Sequence, residues 1–464
     1  MESLKNIFAV SELRNRVLFT LGLLGVYRIG NHVPTPGVNR AALEELARQM
    51  QNNLFGLYDM FTGGSLSKVT IFALGIMPYI SASIILQLLT VVWPYLEKLS
   101  KEGELGRRKI TTYTRYLTIV LSVIQSSTIA TTLQAQTYAG QSLVFHPGLG
   151  FWLMTVLTLT TGSAFIMWLG EQISERGIGN GMSLIIFVGI VVGLPRAVVD
   201  LYEKAKTQAW GAFTPLALIL LVALMVAVVA FIVFVEGAQR RIPVQYAKRV
   251  VGRRMMGGQS TYLPLRVNSG GVIPPIFASS LLAFPATAAL LLGTRWPFVK
   301  KIADTLKWGE PLYTVIYVVM IILFAFFYVG IVFNPTELAD NMRKNGGFIP
   351  GIRPGRSTSE YVSIILKRLT FIGACYLALV CLLPEWMIAG IHLNHLPYWM
   401  GGDWFDRHFP QWILNGLGVA FYFGGTSLLI VVGVAMDTVQ QLEAQLVMRN
   451  YEGFARKGRL RGRR

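Results

Sequence analysis

Few side chains in this sequence are of the types that catalysis requires, and most of them stand at the margins of long apolar segments. Glu171, Glu385 and Asp437 lie at the ends of such segments, and no segment carries a carboxylate in its middle. General acid–base and nucleophilic catalysis need a nucleophile and a base within hydrogen-bond reach, and no such pair is evident. A Walker A motif, typical of ATP hydrolysis, is also missing. The sequence therefore predicts a protein that is not an enzyme.

Potential metal ligands are concentrated in one loop, 390–412. They are His392, His395, Asp403, Asp406 and His408. Their spacing matches no established ligand pattern, and Trp399 and Trp404 favour an aromatic anchor at a membrane surface instead. We expect no metal ion and no cofactor, and the function of this long loop stays open.

The two cysteines, Cys375 and Cys381, lie in one apolar segment. Six residues apart, they fall on different faces of a helix, so neither a disulfide nor a metal pair is expected. Both are predicted to be packing residues.

Long apolar runs dominate the chain, and the elements they form must position any functional residues. The 464 residues are 53% hydrophobic and only 14% charged. A helix of about 20 apolar residues, rising about 1.5 Å each, spans the hydrocarbon core, and only helices satisfy their backbone groups within one segment there. The sequence predicts an all-α polytopic membrane protein with ten transmembrane helices, at about 16–33, 73–95, 115–134, 150–170, 182–202, 213–235, 272–293, 312–333, 369–389 and 413–436.

Basic residues give the predicted orientation. The formal net charge is +18, and the Lys and Arg residues favour one set of connections. This set comprises the N-terminus 1–15, the loops 96–114, 236–271 and 334–368, and the tail 437–464. The positive-inside rule places these segments in the cytoplasm, so both termini are expected there.

The midpoint of the chain falls in the predicted external hinge 203–212. Five spans precede it (16–202) and five follow it (213–436). Because five is odd, the halves enter the membrane in opposite directions, which is typical of inverted repeats with a pore or site between them.

The semi-polar residues 58–72 precede the second span. They favour a short helix folded back into the external half, the alternative being an interfacial helix on the outer surface.

Two basic loops favour docking to a partner outside the membrane. In the 236–271 loop, Ile242 to Tyr246 alternates as a strand would, which predicts a hairpin. The 334–355 loop is long, basic and rich in Gly and Pro, more than a simple connector requires. The alternative is that these charges only set the topology.

Motifs along nearly the whole chain resemble the SecY family, the channel subunits of the bacterial protein translocase. They occur in the same order: Tyr27–Gly30, Phe72–Ile85, Gly106–Ile110, Trp168–Gly181, Gln239–Ile242, Tyr246–Arg249, Leu263–Asn268, Asn334–Gly355 and Phe421–Ile430.

The resemblance implies two inverted five-helix halves around a central hourglass pore. By motif position, its apolar constriction would be formed by Ile76, Ile80, Met182, Ile186, Ile276 and Ile430. Met182 replaces the usual isoleucine but is apolar and deformable. A narrow apolar ring resists ion leakage by dewetting. The 58–70 segment would be the plug, including Met60, Phe61, Gly63, Gly64, Ser65 and Leu66.

The resemblance also implies a lateral gate to the lipid, with Gln87 and Asn268 as polar contacts. The function it implies is translocation of unfolded, signal-bearing preproteins across the plasma membrane and lateral insertion of membrane proteins into the lipid. The ribosome or the motor ATPase SecA would drive it, docking at Arg240, Arg241, Lys248, Arg253, Arg254 and Arg353. SecE and SecG are the implied small membrane subunits. A secondary solute transporter is the alternative, against which the missing intramembrane acid argues.

Overall fold

The computed structural model describes the chain in twelve stretches. They are residues 11–39, 42–43, 59, 62–135, 137–138, 141–207, 214–246, 249–251, 254–256, 260–292, 310–389 and 425–457. The chain divides into two compact units. The first comprises Met1–Lys204, Leu290–Arg295 and Ile430–Arg464, and the second comprises Ala205–Ala289 and Trp296–Leu429.

The first unit is built from helices before the midpoint, together with most of the last helix. Its helices are α1 (Ser11–Gly30), α2 (Met77–Val92), α3 (Pro94–Lys101), α4 (Glu104–Ala135), α5 (Leu149–Arg176), α6 (Gly181–Val191) and α7 (Leu194–Lys206). The short strands β1 (Thr137–Tyr138) and β2 (Gln141–Ser142) pair between α4 and α5.

The second unit combines apolar helices with a small sheet. Its elements are α8 (Thr214–Gly237), β3 (Gln239–Tyr246), β4 (Arg249–Val251), β5 (Arg254–Met256), β6 (Ser260–Arg266), α9 (Ile273–Leu292), α10 (Pro311–Val332), α11 (Pro335–Lys344), β7 (Gly347–Phe348) and α12 (Arg356–Ala389). The last helix, α13 (Gly425–Lys457), begins here and continues in the first unit.

The polytopic all-α class is confirmed. Within the described residues, six helices are long and apolar enough to cross a membrane, namely α4, α5, α8, α10, α12 and α13. A seventh span is possible if α2 and α3, bent by 100° at their junction, are taken together. The number ten stays a prediction.

The predicted fifth span, 182–202, is interrupted. Helix α6 ends at Val191 and α7 begins at Leu194, with a turn in which Gly193 N donates to Ile190 O at 3.0 Å. Gly193 is a poor helix former, and Pro195 lacks the N–H that an uninterrupted helix would use. The sequence-based expectation of one continuous helix was therefore wrong.

Several predicted loops are largely helical. Only Glu102 and Gly103 separate α3 from α4 in the 96–114 connection, where Gly103 has φ +77°. The 437–464 tail continues α13 as far as Lys457. Exposed i,i+4 ion pairs lie on α3 and α4, Lys101 with Glu97 and Arg108 with Glu104, and each adds a few tenths of a kcal/mol to helix stability.

Of the short helix expected at 58–72, Asp59 is helical, but the described residues 62–72 make successive turns instead. Gly63, Gly64 and Gly75 have positive φ values, as does Val69. Left-handed backbone cannot continue a right-handed helix, so these residues fold into turns instead.

Candidate functional site

The ring candidates Ile76 and Ile80 lie at the beginning of α2. Gly75 has φ +55° and ends the preceding turns, and Pro78 stands in the first turn of α2, where its missing N–H costs no helical bond. Ile80 N donates to Ile76 O at 3.1 Å. The two side chains are four residues apart and share one helix face.

Met182 and Ile186 share a face at the start of α6. Asn180 caps this helix, its Oδ1 accepting from Met182 N at 3.1 Å. Met182 packs against α5 so closely that a Cβ added at Gly170 would overlap Met182 Sδ. Ile186 is buried.

The remaining two ring candidates lie elsewhere. Ile430 is near the beginning of α13 and is only 1% exposed. Ile276 is in the first turn of α9, half-buried, and belongs to the second unit. The structure thus places Ile76 and Ile80 on one face of α2, and Met182 and Ile186 on one face of α6. The complete ring stays a prediction.

The described plug residues are held by the end of α1. Tyr27 Oη donates to Thr62 O at 3.3 Å, and Arg28 Nη1 lies 3.5 Å from Gly63 O. Arg28 at the end of α1 thus contacts the main chain of the plug segment. Ser65 is fully buried, whereas Met60 and Phe61 lie outside the described residues.

The plug segment is also organised from within and packs against α6. Asp59 Oδ1 accepts from Ser67 N at 2.8 Å, and Asp59 O accepts from Gly64 N at 2.9 Å. Burial raises the pKa of Asp59, and the hydrogen bonds donated to it lower that pKa by less. A Cβ added at Gly63 would lie 3.1 Å from Gly189 Cα. Gly63 is therefore required for close backbone approach as well as for its φ of +70°.

The two gate candidates have partners within their own units. Gln87 Nε2 donates to Ser83 Oγ at 3.3 Å on the same helix. Asn268 is 5% exposed, and its Nδ2 donates to Glu236 Oε1 at 2.6 Å and to Gly271 O at 3.2 Å. A gate formed by these two residues stays a prediction.

The predicted hairpin is confirmed as β3 paired antiparallel with β6, from Gln239 opposite Arg266 to Gln245 opposite Ser260. Its alternation buries Ile242 and Val244 and leaves Arg240 and Arg241 exposed. The basic side chains are thus displayed on a rigid strand rather than on a flexible loop.

The second basic loop joins the same sheet, which sequence reasoning missed. Strand β7 pairs with β3, with Gln245 opposite Phe348 and Tyr246 opposite Gly347. Both loops share one apolar core, formed by Ile242, Val244, Leu265, Met342, Ile349, Val362 and Leu366.

Of the other docking candidates, two lie in the described part of the chain and two lie outside it. Arg353 is exposed on the turn after β7. Arg254 lies on β5, and Lys248 and Arg253 fall outside the described residues, as does the 390–412 loop.

An ion pair between α4 and α5 also escaped the sequence analysis. Arg115 Nε donates to Glu171 Oε1 at 2.7 Å. The residues are 56 apart in sequence, so no local periodicity signals their contact.

Comparisons with known proteins agree along the chain. A sequence model of the SecY family matches residues 70–439. Protein translocase subunit SecY of Escherichia coli K12 is 49% identical over 455 residues, covering 98% of this chain and 96% of that protein.

Two solved structures share the fold. "The structure of a protein conducting channel" matches with a TM-score of 0.62 at 16% identity, covering 93% of this chain and 92% of that one. "Sec61 in the Canine ribosome-channel complex from the endoplasmic reticulum" matches with a TM-score of 0.59 at 16% identity, with the same coverage. By its sequence along nearly its entire length, the chain belongs to the SecY family.

Proposed function

We propose that this chain is the protein-conducting channel subunit of a translocase, which moves unfolded preproteins across the plasma membrane and releases apolar segments laterally into the lipid. The observation that carries this proposal is the 49% identity to a protein translocase subunit over nearly the full length of both chains. The family relationship does not favour the solute transporter.

The geometry supports a channel whose closed form excludes ions. Two isoleucines on one face of α2, and a methionine and an isoleucine on one face of α6, supply apolar side chains. The 62–70 turns pack against α6 at Gly63 and Gly189. We propose that Ile76, Ile80, Met182, Ile186, Ile276 and Ile430 line one constriction, contributed by the halves 16–202 and 213–436, with the 58–70 segment as plug.

We further propose that the chain moves proteins without catalysing a reaction itself, so that energy comes from a partner. The exposed Arg240 and Arg241 and the shared core of the two basic loops support docking of SecA or of the ribosome. A Sec61 relative in fold is described in a ribosome–channel complex, and basic side chains suit rRNA phosphates. SecE and SecG are the proposed membrane subunits, and both termini are proposed to be cytoplasmic.

Substitution of the ring tests the channel directly. Ile80→Asn and Ile276→Asn place a polar amide in the constriction, so we expect both to raise the resting ion conductance of the purified complex in a planar bilayer. Ile85→Asn is the matched control, because it changes the same helix at an exposed position off the face of Ile80. Unchanged conductance in both ring variants would refute the assigned constriction.

A further inference from the structure

The turn between α5 and α6, residues 177–180, is bound to α1 by a hydrogen bond. Ile178 N donates to Thr20 Oγ1 at 3.1 Å, and Thr20 Oγ1 donates to Arg16 O at 2.9 Å. Thr20 is buried, so this bond is shielded from solvent. The turn is thereby fixed to the first helix by its main chain.

The same turn is covered by the far part of α13. Leu442 and Leu446, together with Val17 of α1, pack against Leu13 and Ile178. Leu13 and Ile178 are 5% and 4% exposed. A third α13 residue, Thr438, is also close, because a Cβ added at Gly179 would lie 3.3 Å from Thr438 Oγ1. Thr438, Leu442 and Leu446 are spaced by four residues, so one face of α13 rests on the turn.

The turn has little freedom to absorb a displacement. A Cβ at Gly177 would overlap Thr20 Oγ1, and Gly179 has φ +83°. Gly181 N donates to Ser174 Oγ at 2.9 Å. A Cβ at Gly181 would overlap Gly170 O. Helix α6 therefore begins in direct backbone contact with α5.

The next residues of α6 are the ring candidates. Asn180 caps the helix through Met182 N, and Ile186 follows one turn later. Close-packed elements transmit displacements, since they have few alternative arrangements. A shift of α13 at Leu442 would thus reach Met182 through Ile178 and the capped start of α6.

We propose that Ile178 is a positioning residue that couples the segment 438–446 of α13 to Met182 and Ile186. A partner that binds or displaces the end of α13 would in this way change the placement of two ring side chains. This inference rests on the proposed function only in that Met182 and Ile186 are taken to line the constriction. The coupling itself lies within the first unit.

The test follows the accessibility of position 182 in the full complex. Met182→Cys is introduced into a Cys375→Ala, Cys381→Ala background, because neither native cysteine is in a disulfide and each carries a thiol that could also react, and the rate of labelling by a water-soluble maleimide is measured. We expect Ile178→Ala and Leu442→Ala to change this rate by about threefold or more, the scale of coupling between contacting residues. Combining the two should add little, because both residues belong to the same apolar cluster.

Val439→Ala is the matched control. Val439 is on the same helix but is 51% exposed, and its removal should leave the labelling rate unchanged. Equal rates in Ile178→Ala, Leu442→Ala and Val439→Ala would overturn the coupling.

Measuring the resting ion conductance of the same variants distinguishes a failure of this inference from a failure of the proposed function. An altered labelling rate with a parallel change in resting ion conductance supports both. An altered rate with unchanged conductance supports the coupling and shows that Met182 does not help close a pore.

Discussion

Asn268 Nδ2 donates a hydrogen bond of 2.6 Å to Oε1 of Glu236. The bond joins the last turn of α8 to the segment that leads from β6 into α9, and Asn268 also donates to Gly271 O. Gly373 of α12 lies close to this junction, since a Cβ there would be 2.7 Å from Val267 O. Asn268 thus positions the start of α9, and any contact it makes at a gate must share its amide with Glu236.

Glu236→Leu tests this junction. It removes the acceptor while keeping a side chain of similar size, so we expect the free energy of unfolding to fall by about 1–3 kcal/mol, typical for a hydrogen bond to a charged group. Glu236→Gln retains an acceptor oxygen and should cost less. Thermal unfolding of the purified complex measures both, and equal stability of wild type and Glu236→Leu would contradict the structural importance of the bond.

Gly63 and Gly64 form a matched pair in the plug. Both have positive φ, at +70° and +81°, so alanine at either position incurs backbone strain of about 1–2 kcal/mol. Only at Gly63 would the new Cβ also press on Gly189 Cα, whereas at Gly64 nothing lies within 4 Å. We therefore expect Gly63→Ala to raise resting ion conductance more than Gly64→Ala. The same conductance in the two variants would show that the contact with α6 does not hold the plug.

The raised pKa of Asp59 predicts that the stability of the docked plug segment depends on pH. Burial raises its pKa above the ordinary value of about 3.9, so the ionised form is disfavoured in the docked segment. The docked arrangement is then most stable below about pH 3.9 and loses stability as the pH rises through the raised pKa. Resting conductance should accordingly increase with external pH over that window.

Asp59→Asn provides the control for this prediction. It keeps an acceptor for Ser67 N but does not ionise, so its conductance should be flat over the same pH range. A variant that retains the pH dependence of the wild type would assign the effect to another group.

Arg353→Glu tests docking at the 334–368 segment. Arg353 is exposed, so charge reversal should leave the membrane helices intact. We expect motor-driven translocation to fall by at least about tenfold, as expected when a charge pair at an interface loses about 1.4 kcal/mol or more. Protection of a preprotein from added protease measures this.

Arg108→Glu is the comparison for Arg353→Glu. Arg108 is also an exposed basic residue, paired with Glu104 on α4 at 2.7 Å, and lies outside the sheet. Its reversal should have the smaller effect, and normal translocation by the Arg353 variant would refute the docking assignment.

Local sequence patterns correctly predicted the secondary structure that depends on interactions between residues close in the chain. Alternation from Ile242 to Tyr246 predicted a strand, and its partner β6 lies in the same 236–271 loop. The pairing of Gln245 with Phe348 involves residues about a hundred positions apart, and no periodicity records it. The helix expected at 58–72 does not continue through 62–72, because hydropathy does not report backbone dihedrals, which glycines such as Gly63 leave open.

The site residues came mainly from motif position rather than from physical pattern. Ile76 and Ile80 share a face by spacing alone, but Met182 and Ile430 resemble many other apolar residues of the spans. Their environments depend on contacts with Gly170 and with distant helices, which the sequence does not show. The ion pair of Arg115 with Glu171 was missed for the same reason.

Site-specific crosslinking from Ile80, Ile276 and Ile430 to a stalled, signal-bearing polypeptide tests the central claim most directly. A central pore predicts crosslinks from all three positions, because each lines the path of the substrate. Crosslinks confined to the region of Gln87 and Asn268 would instead indicate a lateral path without a central pore. No crosslinks from a folded complex with its partners present would contradict the channel and favour a solute transporter.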